Sequence, residues 1–274
     1  MKRKPISVLP GFRLSLSYTL GWMCFLLVLP LAACLIKAGS LSGAEFAKAV
    51  WTDRARAAYS LTFGVSFAAA VIDTLLGLLL AWVLVRYQFY GRRLMDSLID
   101  LPFALPTAVA GLVYSNLYVK NGWLGQFLVP LGIQGAYSRF AIVLVLSFIG
   151  LPFVVRTVQP VLETLDADIE EAAACLGATR LQTFFRVILP ALYPALLTGF
   201  TLTFARALGE YGSVVFVSGN MPFKTEIASV LIVSRLEEFA YAEATAIAVV
   251  LLAASFVLLG AINFLERWSQ RRSG

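Results

Sequence analysis

Apolar residues in this chain fall into long blocks separated by short polar stretches. A helix rising 1.5 Å per residue needs about twenty apolar residues to cross a bilayer core about 30 Å thick. Six blocks meet that length: Tyr18–Ile36, Ser60–Val85, Leu94–Asn116, Phe140–Val158, Pro194–Val217 and Ala242–Phe264. Strict alternation of apolar and polar residues is absent, which argues against a membrane β-barrel. The pattern predicts an all-α, polytopic membrane protein with six transmembrane helices. Pro102, Pro106 and Pro152 lie inside the blocks. Neighbouring helices can satisfy the backbone groups such prolines free. Between the first two blocks, Leu41–Tyr59 is too polar to span. Phe46, Val50 and Trp51 fit either a short interfacial helix or an ordinary solvated loop.

Charge sets the expected orientation, because Lys and Arg near span ends collect on the cytoplasmic side. Six spans put both termini on one side. That side holds Lys2, Arg3, Lys4 and Arg13, the short Arg86–Arg93 loop, Arg180 and Arg186, and Arg267, Arg271 and Arg272. Both termini are therefore expected in the cytoplasm. The basic start before an apolar run resembles a signal peptide, and Leu31-Ala32-Ala33-Cys34 faintly resembles a lipobox. The run is long enough to span and further spans follow, so a retained first helix is expected.

Composition narrows the function. The chain has 274 residues, 59% hydrophobic and 14% charged, against about 25% charged in soluble domains. It has no histidine, which excludes His-ligated zinc, haem–histidine ligation and Ser–His catalysis. The net charge of +6 suits anionic lipid headgroups. Without a basic patch interleaved with aromatics it implies no nucleic-acid partner. Cys24, Cys34 and Cys175 lie apart and read as small buried packing residues. No catalytic or metal-ligating set emerges.

One polar segment stands out. Leu162–Pro190 is charged and well punctuated. Asp168 and Glu171 have the spacing of a capping box, and Glu170 and Glu171 favour the positive end of a helix dipole. Ala172-Ala173-Ala174 follows, then Gly177 where a left-handed cap would end the helix. A second short helix is predicted over about Thr179–Ile188, ended by Pro190. A helix–turn–helix with a small, smooth tip invites close approach by another protein.

Glu171-Ala172-Ala173, three residues, Gly177, nine residues, Val187 in place of isoleucine, one residue, then Leu189-Pro190 resembles the EAA motif of ABC-importer permeases. Asp100–Leu112, Pro152–Glu163 and Arg206-Ala207-Leu208-Gly209-Glu210-Tyr211-Gly212 resemble signature segments of the sulfate/thiosulfate permeases, as do Leu9–Phe12. The resemblance implies a type I importer permease fold (MetI-like), with the core at residues 57–262. Residues 1–56 would add the N-terminus, first span and outer segment, and residues 263–274 a basic tail. It further implies that Glu170, Glu171, Ala172, Ala173, Gly177, Leu189 and Pro190 dock on a cytoplasmic ATPase.

The implied partners are a CysA-like ATPase dimer, a second and similar CysW-like permease chain, and a periplasmic or lipid-tethered sulfate/thiosulfate-binding protein. The implied place is the bacterial inner membrane. The chain lacks the G-x-x-x-x-G-K-[ST] phosphate cradle, so ATP and Mg belong on the partner ATPase and no cofactor on this chain. Molybdate/tungstate permeases share the Leu-Gly-Glu segment and form the alternative. An ion-coupled secondary transporter is a second alternative, using Asp73 and Glu210, but it leaves the capped loop unexplained.

Ionisable residues inside spans suggest a pathway or gate. Arg206 and Glu210 share a helix face at i, i+4, either lining the route with Gly209 or neutralising each other. Pro102 and Pro106 would bend the third span, as hinge or as static shape, and together with Thr107 they are candidates for the pathway or gate. Asp73 is expected to bond a neighbouring helix, Arg156 to snorkel to the cytoplasmic interface, and Asp96 and Asp100 to be surface residues. Gly77 and Gly111 are expected at close helix contacts.

Overall fold

A computed structural model describes residues 11–273. Lys2, Arg3, Lys4 and the start of the Leu9–Phe12 signature fall outside the described residues, as do the side chains of Arg267, Arg271 and Arg272. The described residues form helices and connecting turns, with no strand among them. In chain order these helices are α1 Phe12–Ala38, α2 Gly43–Val50, α3 Asp53–Arg86, α4 Arg92–Ile99, α5 Leu101–Ala104, α6 Thr107–Tyr118 and α7 Gly125–Leu128. They continue with α8 Arg139–Thr164, α9 Ala167–Cys175, α10 Arg180–Leu208, α11 Val214–Val217, α12 Ala228–Glu237 and α13 Tyr241–Ser273.

Five of these, α1, α3, α8, α10 and the part of α13 over Tyr241–Ile262, are long and apolar enough to cross a membrane. The third expected span exists in pieces. Asp100 interrupts the helix, α5 ends at Ala104, Leu105 after it is extended, and Pro106 precedes α6 in a non-helical conformation. A residue before proline is pushed out of helical geometry, so Leu105-Pro106 opens the chain where hydropathy alone predicts one rod.

The fifth span is longer than its apolar block. The second short helix of the polar loop is continuous with it, and Pro190 does not end it. A π-helical turn over Phe184–Ile188 absorbs the proline. Leu189 N–H bonds to Phe184 O, five residues back. A π turn over Cys24–Val28 likewise precedes Pro30 in α1. Widening one turn next to a proline is a local way to re-satisfy backbone groups in an apolar setting. The span ends at Leu208, so residues up to Val217 belong to a turn and α11.

Helix α8 is the centre of the bundle, with α3 and α10 against it. Val154 of α8 is fully buried. A Cβ at Gly77 of α3 would lie 2.6 Å from a Val154 methyl, so glycine is what lets these two helices approach. Toward the end that carries Arg86 and α9, the core is Ala81, Leu84, Val155, Val158, Leu162, Ile188 and Leu192. Toward the other end it is Val65, Ala69, Ile142, Val145, Ile149, Ala207 and Val214. Helix α1 stands outside this packing and meets α13 through its second half. Cys24 there is exposed, and so is Cys175, contrary to the buried packing role expected for them.

The two ends of the bundle are tied by different chemistry. At the end opposite α9, Leu41–Tyr59 resolves into α2, whose start is a capping box. Glu45 N–H bonds to Ser42 Oγ at 3.3 Å and Ser42 N–H to Glu45 Oε2 at 2.9 Å. Arg54, in the first turn of α3, forks onto Glu226 with bonds of 2.8 and 2.6 Å. Arg139 donates to Lys224 O at 2.9 Å and Tyr137 N–H to Val217 O at 2.9 Å. These contacts hold the segment between α11 and α12 over the bundle.

Candidate functional site

Two places gather the residues that the sequence marks for chemistry: the α9 tip, and the junction of α6 with the end of α10. At the tip, Asp166 is the N-cap of α9 and makes no side-chain cap bond. Asp168 therefore lies inside the first turn and forms no capping box. The box forms two residues past Gly177 instead. Thr179 Oγ1 accepts from Gln182 N–H at 3.3 Å, and Gln182 Oε1 accepts from Thr179 N–H at 2.9 Å. Gly177 has φ +84°, the left-handed geometry glycine adopts without penalty. Ala178 N–H reaches Ala173 O at 3.0 Å and Gly177 N–H reaches Ala174 O at 2.9 Å. This is the Schellman pattern that closes a helix.

The loop points its residues in two directions. Glu171, Ala172 and Gly177 are exposed and Ala173 is half-buried. Glu170 turns inward and pairs with Arg86 of α3 at 2.7 Å. Arg86 also donates to Leu165 O at 3.3 Å and lies over the Trp82 ring. Trp82 in turn meets Phe184 of α10 edge-on. Glu170 thus anchors α9 to the bundle rather than facing outward. Leu189 is partly buried against the core and Pro190 is exposed on α10. Both lie about 15 Å along that helix from its start at 1.5 Å per residue, away from the tip.

Sequence reasoning passed over Leu176, which is 90% exposed beside Gly177. Leu181 and Phe185, near the start of α10, are also exposed. An apolar residue next to a helix-ending glycine, with no apolar periodicity to bury it, is the signal that could have found Leu176. Such side chains around a smooth tip form a surface suited to a partner protein.

At the second place, Glu210 is buried and fully partnered. Arg206 donates to Oε2 at 2.5 Å, and Ser213 N–H and Oγ each donate to Oε1 at 3.0 Å. Ser229 Oγ of α12 bonds to Glu210 O at 2.8 Å. An ionised carboxylate with three donors is tolerable in an apolar bundle where a bare one is not. Gly209 is exposed with φ −92°, so its backbone does not demand glycine.

Helix α6 comes close here. A Cβ on Gly212 would sit 2.5 Å from Thr107 Oγ1 and 3.7 Å from Glu210 Oε1. Thr107 and Glu210 therefore both face Gly212. Gly111 is packed on the Ser213 backbone, its Cβ position 2.2 Å from Ser213 O. Pro106 is exposed at the start of α6, and Pro102 lies apart in α5. Asp73 is fully buried. It lies over Gly150 and beside Thr203, whose hydroxyl bonds to Gly150 O, and its carboxyl faces the Ser147 hydroxyl of the neighbouring α8.

Residues 73–273 match the family described as binding-protein-dependent transport system inner membrane component. The chain belongs to this family. As an inner membrane component it is also similar to individual proteins along nearly its whole length. It is 50% identical over 265 residues to the sulfate transport system permease protein CysT of Salmonella typhimurium, covering 97% of this chain and 96% of that one. It is 48% identical to the same-named protein of Escherichia coli, over 97% and 96%, and 50% identical to that of Synechocystis, over 92% and 88%. In fold, this inner membrane component resembles a bacterial ABC transporter that imports the acidic polysaccharide alginate, with TM-score 0.77 at 18% identity over 93% and 94%. It also resembles an inward-facing MetNI methionine transporter, with TM-score 0.58 at 16% identity over 84% and 99%. The type I importer permease architecture expected from the sequence is thus the observed one.

Proposed function

We propose that this inner membrane component is one of two permease chains of an ATP-driven importer for sulfate and thiosulfate. The observation that carries the substrate is the 50% identity, over 97% of the chain, to a protein named as a sulfate transport permease. The exposed, small-residue tip at Glu171–Gly177 supports a docking role toward an ATPase. In this reading Glu171, Ala172, Ala173, Leu176 and Gly177 enter a groove on one member of a CysA-like ATPase pair. Glu170 and Arg86 make the tip rigid, so that a push on it moves the bundle. ATP and Mg bind on the ATPase, because this sequence has no phosphate-cradling loop. Both termini lie in the cytoplasm with α9, and the Arg54–Glu226 end faces the binding protein. The alginate transporter solved with its periplasmic binding protein supports a partner of that kind.

Transport then follows from rigid-body rocking of this chain against a CysW-like partner. ATP-driven closure of the ATPases brings the two docking tips together and opens the route outward; hydrolysis resets it. Arg206, Glu210, Gly209, Thr107, Pro106 and Pro102 lie along or beside the gate. The Arg206–Glu210 pair keeps a carboxylate from repelling a dianion.

The test is uptake of labelled sulfate by cells carrying Gly177→Asp, with co-purification of the ATPase from detergent. Expected are an intact chain in the membrane, loss of co-purified ATPase and loss of uptake. Uptake at the unmodified rate would overturn the docking assignment. Competition by thiosulfate but not by molybdate is expected; strong competition by molybdate would overturn the substrate.

A further inference from the structure

Two sequence signatures are not used by the docking tip: the one opening at Asp100 and the one holding Arg156. The structure brings them together. Arg156 does not snorkel from the end of a helix; α8 continues eight residues beyond it to Thr164. Its guanidinium forks onto Asp100, with Nε to Oδ1 at 2.9 Å and Nη2 to Oδ2 at 2.6 Å. It also reaches Asp96 Oδ1 at 2.7 Å, Asp96 O at 2.9 Å and Gln159 Oε1 at 2.8 Å. A guanidinium has five N–H donors, and these five bonds use them all.

The energetics set this cluster apart from a simple brace. The side chains of Arg156, Asp96 and Asp100 are 32%, 40% and 45% exposed. A single exposed ion pair adds little to stability; a forked guanidinium shared between two carboxylates is the arrangement in which such pairs count. The geometry is highly specific. Asp96 and Asp100 are one helical turn apart at the end of α4, and Asp100 immediately precedes the broken segment that carries Pro102 and Pro106. On the other partner, an unbroken helix of about 12 Å joins Arg156 to Thr164, and α9 begins three residues later.

We propose that Arg156 is a positioning residue that transmits movement of the docking helix to the broken third span. Through Asp96 and Asp100 it fixes the near side of the break at Leu105-Pro106, so displacement of α8 swings α6 and Thr107 against Glu210. Lysine keeps the charge but not the planar fork, and loses the register. This proposal rests on the docking reading of α9.

The experiment uses the whole transporter purified in lipid nanodiscs and reconstituted in liposomes, with Arg156→Lys and Asp100→Asn. Three quantities are read: ATPase co-purification, ATP hydrolysed, and sulfate moved per ATP. Both variants are expected to retain the ATPase at the unmodified level and to move at least about fivefold less sulfate per ATP. An unchanged ratio of sulfate to ATP would overturn the proposal, whether total activity is normal or falls in step with assembly. Failure of the unmodified chain to co-purify with an ATPase would overturn the docking reading, and this proposal with it. The exchange Arg156→Asp with Asp100→Arg is expected to recover part of the lost ratio; recovery of none in an assembled complex would also count against it.

Discussion

Gly111→Ala places a methyl group where the structure has no room. Position 111 lies within α6, where replacing glycine by alanine normally gains about 1 kcal/mol of helix propensity. Here the new Cβ would lie 2.2 Å from Ser213 O, 2.8 Å from Ser213 Cα and 2.9 Å from its carbonyl carbon. The first distance is more than an ångström inside ordinary contact, and all three atoms are backbone, which cannot rotate away. Overpacking of this kind costs about 1–3 kcal/mol. The turn is not free to withdraw, because Ser213 N–H and Oγ both hold the buried Glu210. Weakening those bonds to a buried carboxylate adds about 1–3 kcal/mol.

The clash therefore outweighs the propensity, for a net loss of roughly 1–5 kcal/mol. Thermal unfolding of the detergent-purified chain measures it, with Gly64→Ala as the control. No atom lies within 4 Å of a Cβ at Gly64, so that variant is expected to be stabilised by about 0.5–1 kcal/mol. A Gly111→Ala protein that melts at or above the unmodified temperature would refute the α6–Ser213 contact. So would normal uptake, if α6 and the Glu210 turn form the gate.

Three further outcomes are expected. Arg54→Ala leaves Glu226 buried and without its guanidinium, so it should destabilise the chain by about 3 kcal/mol and more than Glu226→Gln does; equal melting of the two would contradict the buried pair. Leu176→Glu touches nothing inside the chain, so melting should change by less than about 0.5 kcal/mol while ATPase co-purification falls; full retention of the ATPase would remove Leu176 from the docking surface. The Ser42 hydroxyl and N–H hold the Glu45 carboxyl below its ordinary range. A lowered folded-state value means that this stabilisation is complete above the unfolded-state pKa and is lost as pH falls through the folded-state pKa. Amide exchange in α2 should therefore quicken on acidification in the unmodified protein and be less pH-dependent in Glu45→Gln; identical pH profiles would refute the capping box.

The order of apolar blocks determined that this is a helical membrane protein, and the helix–glycine–helix spacing located the exposed tip at Gly177, because both are local properties. Span length depends on composition over about twenty residues, and a left-handed cap at Gly177 needs only its own turn. Three-dimensional packing decided the rest. Pro190 and Pro106 look alike in sequence, yet one is absorbed by a π turn in a continuous helix and the other opens the chain; the surrounding helices choose. Glu170 and Glu171 are adjacent, but only Glu170 meets Arg86 of α3. Arg156 and Asp100 are 56 residues apart, and nothing local announces that one spends four of its five bonds on the other's turn. Long-range polar partners are set by how helices cross, and a one-dimensional pattern of hydropathy carries no record of that.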